Sequence, residues 1–227
     1  KQILVDAREI LHRAQSDGAS STNIINLWTW FTDQLLISIW QSISKPDAPS
    51  DCCSLVAVGG YGRAELHPSS DIDLMVLVSD EMSGIFAESG EAFLHILWDI
   101  GLDIGHSVRT VSECAKAATD LTVVTTLMEA RLLTGSAELL QQMQTAIATD
   151  KIWPADEYFH AKRKEQQERY LRFGDTAYKL EPNLKESPGG LRDLHMISWV
   201  TMRYFNAASL EGLVEHDFLT KDEYQSL

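Results

Sequence analysis

An α+β fold, with a small mixed β-sheet flanked by helices and followed by an all-α region, is what this sequence of 227 residues predicts. Strand-like apolar runs occur only between residues 52 and 110, where they surround a glycine-rich stretch. Helical periodicity covers most of the chain before and after that segment. Because 44% of the residues are hydrophobic and no low-complexity tract interrupts them, the chain can bury a substantial core.

Two helices are expected at the N-terminus. Residues 3–15 have a helical apolar pattern, and the sequence Ser-Ser-Thr-Asn at 20–23 can cap a second helix over 24–43. One face of that second helix carries large apolar residues, namely Trp28, Phe31, Leu35 and Ile39. The stretch 44–51, which contains proline and serine, then predicts a turn-rich connector.

The central segment contains the predicted strands. Residues 52–58 (CCSLVAV) predict a first strand and residues 71–78 (DIDLMVLV) a second one, with a glycine-rich loop between them. A helix over 82–100 and a third strand over 102–110, interrupted by Gly105, are expected to follow.

The remainder of the chain is predicted to be helical, over residues 111–118, 121–134, 136–149, 155–173 and 191–207. A loop over 174–190 separates the last two helices. We therefore expect an N-terminal helical arm (1–50), a sheet-containing core (51–135) and a helical domain (136–227). The chain begins without methionine and stops within a helical pattern, so we expect it to be a piece of a longer protein.

The charge and the cysteines narrow the class of protein. The formal net charge of -14 argues against a nucleic-acid-binding protein, although a local phosphate pocket remains compatible with it. Three cysteines do not make a disulfide framework and predict reduced structural thiols in a cytoplasmic protein. No apolar run is long enough to predict a membrane span, and no signal peptide is recognisable.

Two aspartates lie on one face of the second predicted strand. Side chains alternate along a strand, so Asp71 and Asp73 point to the same side. Paired carboxylates suit Mg²⁺, which takes one or two of them and fills its shell with water and substrate phosphates. Asp103, in the apolar–acid–apolar triplet of the third strand, is the candidate third ligand. Three such acids can hold two Mg²⁺ ions for an in-line displacement at phosphorus.

The glycine-rich loop before these aspartates suggests a phosphate contact. Gly59 and Gly60 let backbone N–H groups approach a phosphate with no Cβ in the way. Arg63 and Ser70 are candidate donors to the phosphate oxygens, whereas Tyr61 either stacks on a ligand or packs in the core. An Asp-x-Asp or a Gly-Gly sequence alone is typical of ordinary turns, but the combination, with a later acid-bearing strand, favours a site.

This combination resembles the nucleotidyltransferase superfamily of the DNA polymerase β type. Three longer stretches are similar to one family within it, the bacterial bifunctional uridylyltransferase/uridylyl-removing enzymes that modify the PII nitrogen-signalling protein. They are VGGYGRAELHPSSDIDLMVL, GLDIGHSVRT with LTVVTTLMEARLLTG, and YLRFGDTAYKLEPNLKESPGGLRDLH. The resemblance covers the chain from about Leu55 onward, and the last stretch is the most specific to the family.

The resemblance implies Mg²⁺-dependent transfer of UMP from UTP to a tyrosine hydroxyl of PII, with release of pyrophosphate. It implies that Asp71, Asp73 and Asp103 are the metal ligands and catalytic acids. It also implies glycine at position 64, where this chain has alanine, which the loop tolerates if its φ is negative. The family's uridylyl-removing HD domain and glutamine-sensing ACT domains have no counterpart among these 227 residues, so we expect neither activity here.

A second glycine pair precedes the predicted helix at 191–207. Lys185 and Arg192 flank it, and with the resemblance we expect both to bind the triphosphate from the helical domain. The alternative is an ordinary capped helix start with Asp193 in the first turn. The basic run that begins at His160 is interpreted as a solvated helix face, with Glu165 and Arg169 paired four residues apart.

Other functions remain open at the level of sequence. An adenylyltransferase of the same fold would share every motif, because no residue type reveals the selected base. A non-catalytic nucleotide-sensing or scaffolding module is disfavoured by the intact set of three acids, and a nucleic-acid polymerase by the net charge of -14.

Overall fold

The computed structural model describes residues 1–43, 52–81, 86–172, 183–205 and 211–226. The chain forms two compact units. The first comprises Lys1–Ala118 and Glu129–Ile147, and the second comprises Thr119–Met128 and Ala148–Leu227. The connector predicted at 44–51 and residues 174–182 of the predicted loop lie outside the described residues.

The helices are α1 (Gln2–Ser16), α2 (Ser21–Ile43), α3 (Gly59–Gly62), α4 (Phe86–Ile100), α5 (Val111–Ala117), α6 (Leu121–Met128), α7 (Ala137–Ala146), α8 (Ala155–Arg172), α9 (Leu191–Phe205), α10 (Glu211–Glu215) and α11 (Lys221–Ser226). The strands are β1 (Cys53–Ala57), β2 (Ile72–Val78), β3 (Ile104–Thr110) and β4 (Arg131–Gly135). The predicted α+β class is confirmed.

The first unit is built on one four-stranded mixed sheet in the order β3-β2-β1-β4. β1 is antiparallel to both β2 and β4, whereas β2 and β3 are parallel. A parallel pair needs a crossover connection, and α4 supplies it here. The parallel pairing brings the N-terminal ends of β2 and β3 to the same edge of the sheet.

Helices cover both faces of this sheet. On one face, Leu55, Leu74 and Val76 join a core with α1, α2 and α4, in which Trp28, Leu36 and Phe93 are buried. The N-terminal helices are therefore part of the core of the first unit. On the other face, α5 and α7 pack on the sheet, and the Cys114 thiol contacts the Met75 sulfur at 3.8 Å.

The helix predicted over 121–134 is wrong in its second half. α6 ends at Met128, and β4 pairs with β1 through Val56 opposite Leu132 and Ala57 opposite Arg131. Residues 127–133 (LMEARLL) are all strong helix formers, which favours helix locally. Pairing with a strand far away in the chain decides the outcome, and local periodicity does not contain that information.

The predicted cap of α2 is confirmed, and α5 and α7 also begin at capping side chains. The Ser20 hydroxyl accepts from the Asn23 amide at 3.2 Å, ahead of α2. Thr110 and Glu113 form a reciprocal capping box at the start of α5. Ser136 caps α7 through the Leu139 amide at 3.2 Å.

All the regular elements in the described part of the second unit are helices. α6 packs against α8 and α9, and Thr125 bonds to the buried hydroxyl of Tyr158 at 2.9 Å. The predicted solvated face of α8 is wrong in part, because Lys162 and Arg169 are buried. Glu165 pairs with Lys162 at 2.8 Å, and Arg169 pairs with Asp193 and Glu186 rather than with Glu165.

Among the described residues, no helix is both long and apolar enough to cross a bilayer. Cys52, Cys53 and Cys114 are free thiols. Burial raises the pKa of both Cys53 and Cys114 to about 11, so at neutral pH these two remain unreactive thiols.

Candidate active site

The three predicted acids lie at one edge of the sheet of the first unit. β2 and β3 are in parallel register with Ile72 opposite Ile104, and the Ile72 amide donates to the Asp103 carbonyl at 2.9 Å. Asp71 and Asp103, which precede that pair, therefore start the two strands side by side. The side chains of Asp71 and Asp103 are exposed. The side chain of Asp73, two residues after Asp71, is half-buried.

The carboxylate of Asp73 occupies a space bounded by two glycines. An ideal Cβ built on Gly105 would lie 2.3 Å from Asp73 Oδ1, and one built on Gly59 would lie 3.1 Å from Asp73 Oδ2. Gly105 is the residue opposite Asp73 in the β2–β3 register. The backbone carbonyl of Asp73 accepts from the Val58 amide at 3.1 Å, which also ties it to the end of β1.

The donor set at this edge consists of carboxylate oxygens, which are the ligands that Mg²⁺ prefers. Across the described residues, no three His, Cys, Asp or Glu side chains converge closely enough to hold a metal ion together. Mg²⁺ is commonly held by one or two carboxylates, with water and substrate phosphates completing its shell. Asp73 lies between two glycines and beside two exposed acids. This arrangement fits a Mg²⁺ site in which the protein supplies only some of the ligands.

The glycine-rich loop folds into the short helix α3 and a closed C-terminal turn. Gly59 opens α3 with a φ of +59°. At its end, the Glu65 amide donates to the Gly60 carbonyl at 3.0 Å and the Ala64 amide to the Tyr61 carbonyl at 3.1 Å. These two bonds are the Schellman pattern, whose C′ residue adopts a left-handed conformation and is usually glycine.

Ala64 occupies that C′ position with a φ of +61°. The condition under which the loop would tolerate alanine without strain, a negative φ, is therefore not met. Thr29 of α2 holds the turn, since its hydroxyl donates to the Ala64 carbonyl at 3.2 Å and accepts from the Leu66 amide at 3.3 Å. The alanine is kept in a strained conformation by these surrounding bonds.

Arg63, a predicted phosphate ligand, is engaged in ion pairs within the chain. Its Nε lies 2.7 Å from Glu65 Oε2, and its Nη1 contacts the carboxylate of Glu129, whose side chain is only 3% exposed. Burial by itself lowers the pKa of Arg63, but the attraction of these two carboxylates outweighs it and raises the pKa. A phosphate bound by Arg63 would therefore share its guanidinium group with Glu65 and Glu129.

A second charged group anchors the other side of α3. Arg131 of β4 makes two bonds to Asp33 of α2, at 2.7 and 3.0 Å, and Tyr61 donates to the same carboxylate at 2.5 Å. Burial, followed by the hydrogen bond to Asp33, raises the pKa of Tyr61 far above its ordinary value. Tyr61 is thus a packed, neutral residue and does not stack on a ligand.

The other predicted loop residues, Ser70 and Gly60, are fully or partly open to solvent. Ser70 is exposed, and its amide donates to the His67 carbonyl at 3.0 Å. Gly60 is half-buried, and a Cβ there would meet Arg63 Nη2 at an ordinary 3.6 Å. The structure therefore places Ser70 just before the two aspartates and Gly60 beside Arg63.

In the second unit, Lys185 and Arg192 flank the start of α9. Lys185 is exposed, whereas Arg192 is half-buried and lies 3.4 Å from Glu186. The amides of Leu191 and Arg192 donate to the carbonyls of Leu184 and Lys185, at 2.9 and 3.0 Å. These two amides are used within the chain, so an anion here would be bound through side chains.

Asp193, in the first turn of α9, is the centre of a hydrogen-bond cluster. Its carboxylate accepts from Gln166 at 2.8 Å, from the Gly189 amide at 2.7 Å, and from Arg169 and Tyr170. Burial by itself would raise the pKa of Asp193, but these hydrogen bonds and the charge of Arg169 lower it below its ordinary value. Asp193 thereby fastens the loop and α9 to α8.

Sequence reasoning misses several residues that shape the site. The sequence marks Gly105 only as an interruption of β3, although a glycine inside a strand often indicates a close approach of another group. Asp33, Glu129 and Arg131 give a weaker signal, as charges next to long apolar runs. The partners of Glu129 and Arg131 lie 66 or more positions away in the chain, so spacing does not reveal them.

Comparison with known proteins identifies the family of the first unit. The sequence profile of the family described as "Putative nucleotidyltransferase DUF294" matches residues 6–120, which is half of the chain. The chain belongs to this nucleotidyltransferase family. A second profile, "GlnD PII-uridylyltransferase", matches residues 157–227. The nucleotidyltransferase domain expected from the aspartates and the glycine loop is therefore present.

Three similar proteins are each named "Bifunctional uridylyltransferase/uridylyl-removing enzyme". Those of Nitrosococcus oceani, Stutzerimonas stutzeri and Azotobacter vinelandii are 47%, 45% and 44% identical over the whole chain. The chain spans 25% of the length of each of them. The resemblance to this family of enzymes is thereby confirmed.

One similar solved structure is named "Crystal structure of the toxin-antitoxin with AMP-PNP". It is 14% identical, with a TM-score of 0.29, over 63% of this chain and 96% of that one. A similarity of this size supports no conclusion about fold or function.

Proposed function

We propose that this chain is the nucleotidyl-transferring part of a PII uridylyltransferase. It transfers UMP from UTP to a tyrosine hydroxyl of PII and releases pyrophosphate. The observation that carries the proposal is the alignment of Asp71, Asp73 and Asp103 at one edge of the sheet, next to the glycine-rich loop, in a chain of the nucleotidyltransferase family. The names of its relatives favour UTP as the donor and PII as the acceptor.

Asp71, Asp73 and Asp103 are the residues that would hold Mg²⁺, with two ions expected at the three acids. When bound, Mg²⁺ would neutralise the triphosphate and the pyrophosphate that leaves it. Two of these carboxylates are exposed, so they are accessible to a metal-nucleotide complex from solvent. The third, Asp73, is half-buried, and its carboxylate lies in space that two neighbouring glycines leave open.

The reaction needs no nucleophile from the protein. The tyrosine oxygen of the acceptor attacks the α-phosphorus, the bond to the β-phosphate oxygen breaks, and pyrophosphate leaves. The phenolic proton needs an acceptor, and Asp103 is the candidate general base because it is an exposed carboxylate at the end of the edge strand β3. The buried thiols of Cys53 and Cys114 take no part.

The nucleotide would be held by the loop between β1 and β2. Gly59 and Gly60 allow the triphosphate to approach the backbone, and Ser70 is an exposed donor beside Asp71. Arg63 would add its charge from the ion pair with Glu129, which fixes the guanidinium. Lys185 and Arg192 are proposed as further phosphate ligands.

The proposal places the reaction in the cytoplasm, where UTP and PII are available. Uridylyl removal and glutamine sensing are proposed to belong to HD and ACT domains of the full-length enzyme, outside these 227 residues. The relatives are four times longer than the segment that matches them, which leaves room for such domains.

The test is a transfer assay with purified PII, Mg²⁺ and either UTP or ATP, read by intact mass spectrometry. We expect PII to gain the mass of one UMP with UTP and none with ATP. PII with its acceptor tyrosine replaced by phenylalanine should stay unmodified. Equal modification by ATP would overturn the uridylyl specificity, and modification of the phenylalanine variant would overturn the assigned acceptor.

A further inference from the structure

We propose that Gly105 is a positioning residue for the reaction. By having no side chain, it provides the space that the carboxylate of Asp73 occupies and thereby sets the direction in which that carboxylate points. The proposal rests on the proposed function only in that it takes metal binding as the task of Asp73.

The contact between the two residues is direct. Gly105 lies opposite Asp73 in the parallel register of β2 and β3. An ideal Cβ on Gly105 would be 2.3 Å from Asp73 Oδ1 and 3.5 Å from its Cγ. Real Cβ atoms do not approach another heavy atom that closely, so no other residue type at 105 is compatible with the present position of the Asp73 carboxylate.

Backbone conformation does not explain this glycine. Gly105 lies within a regular seven-residue strand, and its φ is outside the left-handed region that favours glycine. A glycine inside a strand weakens the strand and packs nothing against its neighbours. The space required by Asp73 is therefore the structural reason for a glycine at this position.

The opposite oxygen of the same carboxylate is bounded by a second glycine. An ideal Cβ on Gly59 would lie 3.1 Å from Asp73 Oδ2, which is also tighter than ordinary contacts. The two glycines come from different elements, the start of α3 and the strand β3. Together they leave open the space on both sides that the two carboxylate oxygens occupy, so the present direction of the Asp73 carboxylate depends on both glycines.

An added methyl group at position 105 should move the carboxylate and leave the strand in place. The atom that clashes is the far end of a side chain, which can rotate, and not backbone. We therefore expect Gly105→Ala to keep the fold while turning Asp73 away from its present direction. Loss of such a supporting feature typically weakens metal binding by about 10- to 100-fold.

The experiment compares the 227-residue chain with Gly105→Ala and Ser107→Ala, using Mn²⁺ as the probe in the presence of UTP. Ser107 is the matched control, because it lies on the same face of β3, two residues further along, opposite Met75. Electron paramagnetic resonance measures free Mn²⁺, and a crystal structure of Gly105→Ala locates Asp73. We expect at least about tenfold weaker Mn²⁺ binding for Gly105→Ala, unchanged binding for Ser107→Ala, and a displaced Asp73 carboxylate.

An epistasis test separates positioning from general damage. In a chain that already carries Asp73→Asn, adding Gly105→Ala should not weaken Mn²⁺ binding further. Wild-type Mn²⁺ affinity in Gly105→Ala, or an Asp73 carboxylate that has not moved in its crystal structure, would overturn the proposal. If the wild-type chain itself binds no Mn²⁺, the proposed metal site fails, and the position of Asp73 in Gly105→Ala still decides the positioning role.

A folding failure of Gly105→Ala would also be decisive. The chain with both Asp73→Ala and Gly105→Ala lacks the clashing oxygen and should fold like the wild type, as measured by its melting temperature. If that double variant also fails to fold, glycine is required at 105 for a reason other than Asp73, and the proposal is wrong.

Discussion

Ala64 shows how one residue departs from what its position favours. It is the C′ residue of a complete Schellman turn and has a φ of +61°, in a region that costs an L-residue about 1–2 kcal/mol. Glycine avoids that cost but adds freedom to the unfolded chain, which offsets about 0.4–1 kcal/mol of the gain. Natural proteins keep such strained residues where surrounding bonds hold them, and Thr29 does so here.

We expect Ala64→Gly to raise the free energy of unfolding by about 0.5–1 kcal/mol, the difference between the two effects. Urea denaturation followed by circular dichroism measures it. Ala130→Gly is a suitable control, because residue 130 has no positive φ and glycine should destabilise the chain there. A lower stability of Ala64→Gly would show that the left-handed conformation is not strained.

At the scale of elements, the glycine-rich loop is fixed by charges from elements distant in the sequence. Arg131 of β4 and Tyr61 of α3 share the carboxylate of Asp33 in α2, and Arg131 also lies over the Tyr61 ring at 5.3 Å. Two-bond arginine–carboxylate pairs are directional, so this group fixes α3 relative to α2 and the sheet. α2 thus helps to build the site.

A double-mutant cycle of Asp33→Asn and Arg131→Met tests that anchor. We expect each single variant to lose about 1–3 kcal/mol of unfolding free energy, and the pair to show a coupling of about 1–2 kcal/mol. The control cycle uses Glu9→Gln and Arg13→Met, whose side chains are 62% and 79% exposed and should couple by less than about 0.5 kcal/mol. Equal coupling in the two cycles would contradict the structural role of Asp33.

In the second unit, Asp193 links α9 and its preceding loop to α8, and its lowered pKa makes that link dependent on pH. A carboxyl group with a lower pKa in the folded state stabilises the fold above the unfolded pKa of about 3.9, and this contribution is lost as pH falls through the folded value. Above about pH 5 the contribution is complete.

We therefore expect Asp193→Asn to destabilise the protein at neutral pH and to differ less from the wild type as pH falls below about 4. Thermal unfolding between neutral and acidic pH measures the difference. Asp150→Asn is the control, because Asp150 is exposed and its variant should follow the wild type at every pH. A difference between Asp193→Asn and the wild type that does not change with pH would contradict the assigned cause.

At the scale of the whole molecule, the units do not follow the chain in simple succession. α6 lies between α5 and β4 in the sequence, yet it belongs to the second unit with α8 and α9. β4 in turn returns to the first unit and pairs with β1. The predicted boundaries at 50 and 135 assumed contiguous domains and stay a prediction.

Local patterns predict the parts of the fold that depend on local chemistry. Short apolar runs bounded by turn residues identify β1, β2 and β3, and the capping residues at 20–23 mark the start of α2. β4 is not predicted because its pairing partner, β1, is distant in the sequence. The partners of Arg169 are not predicted because they lie on a different helix and in a loop. The grouping of Asp71, Asp73 and Asp103 can be predicted because two short sequence motifs contain these residues. The space around the Asp73 carboxylate cannot, because it depends on how β2, β3 and α3 meet in the fold.

The function proposed for Asp71, Asp73 and Asp103 is to catalyse attack at the α-phosphorus of UTP. The most direct measurement follows PII incubated with UTP labelled at the α- or the γ-phosphate, using the wild-type chain, Asp71→Asn, Asp73→Asn and the exposed control Asp99→Asn. We expect α-label on PII, γ-label only in pyrophosphate, loss of both in the two site variants, and wild-type behaviour in Asp99→Asn. Label from the γ-phosphate on PII, or full α-transfer by Asp73→Asn, would contradict the account.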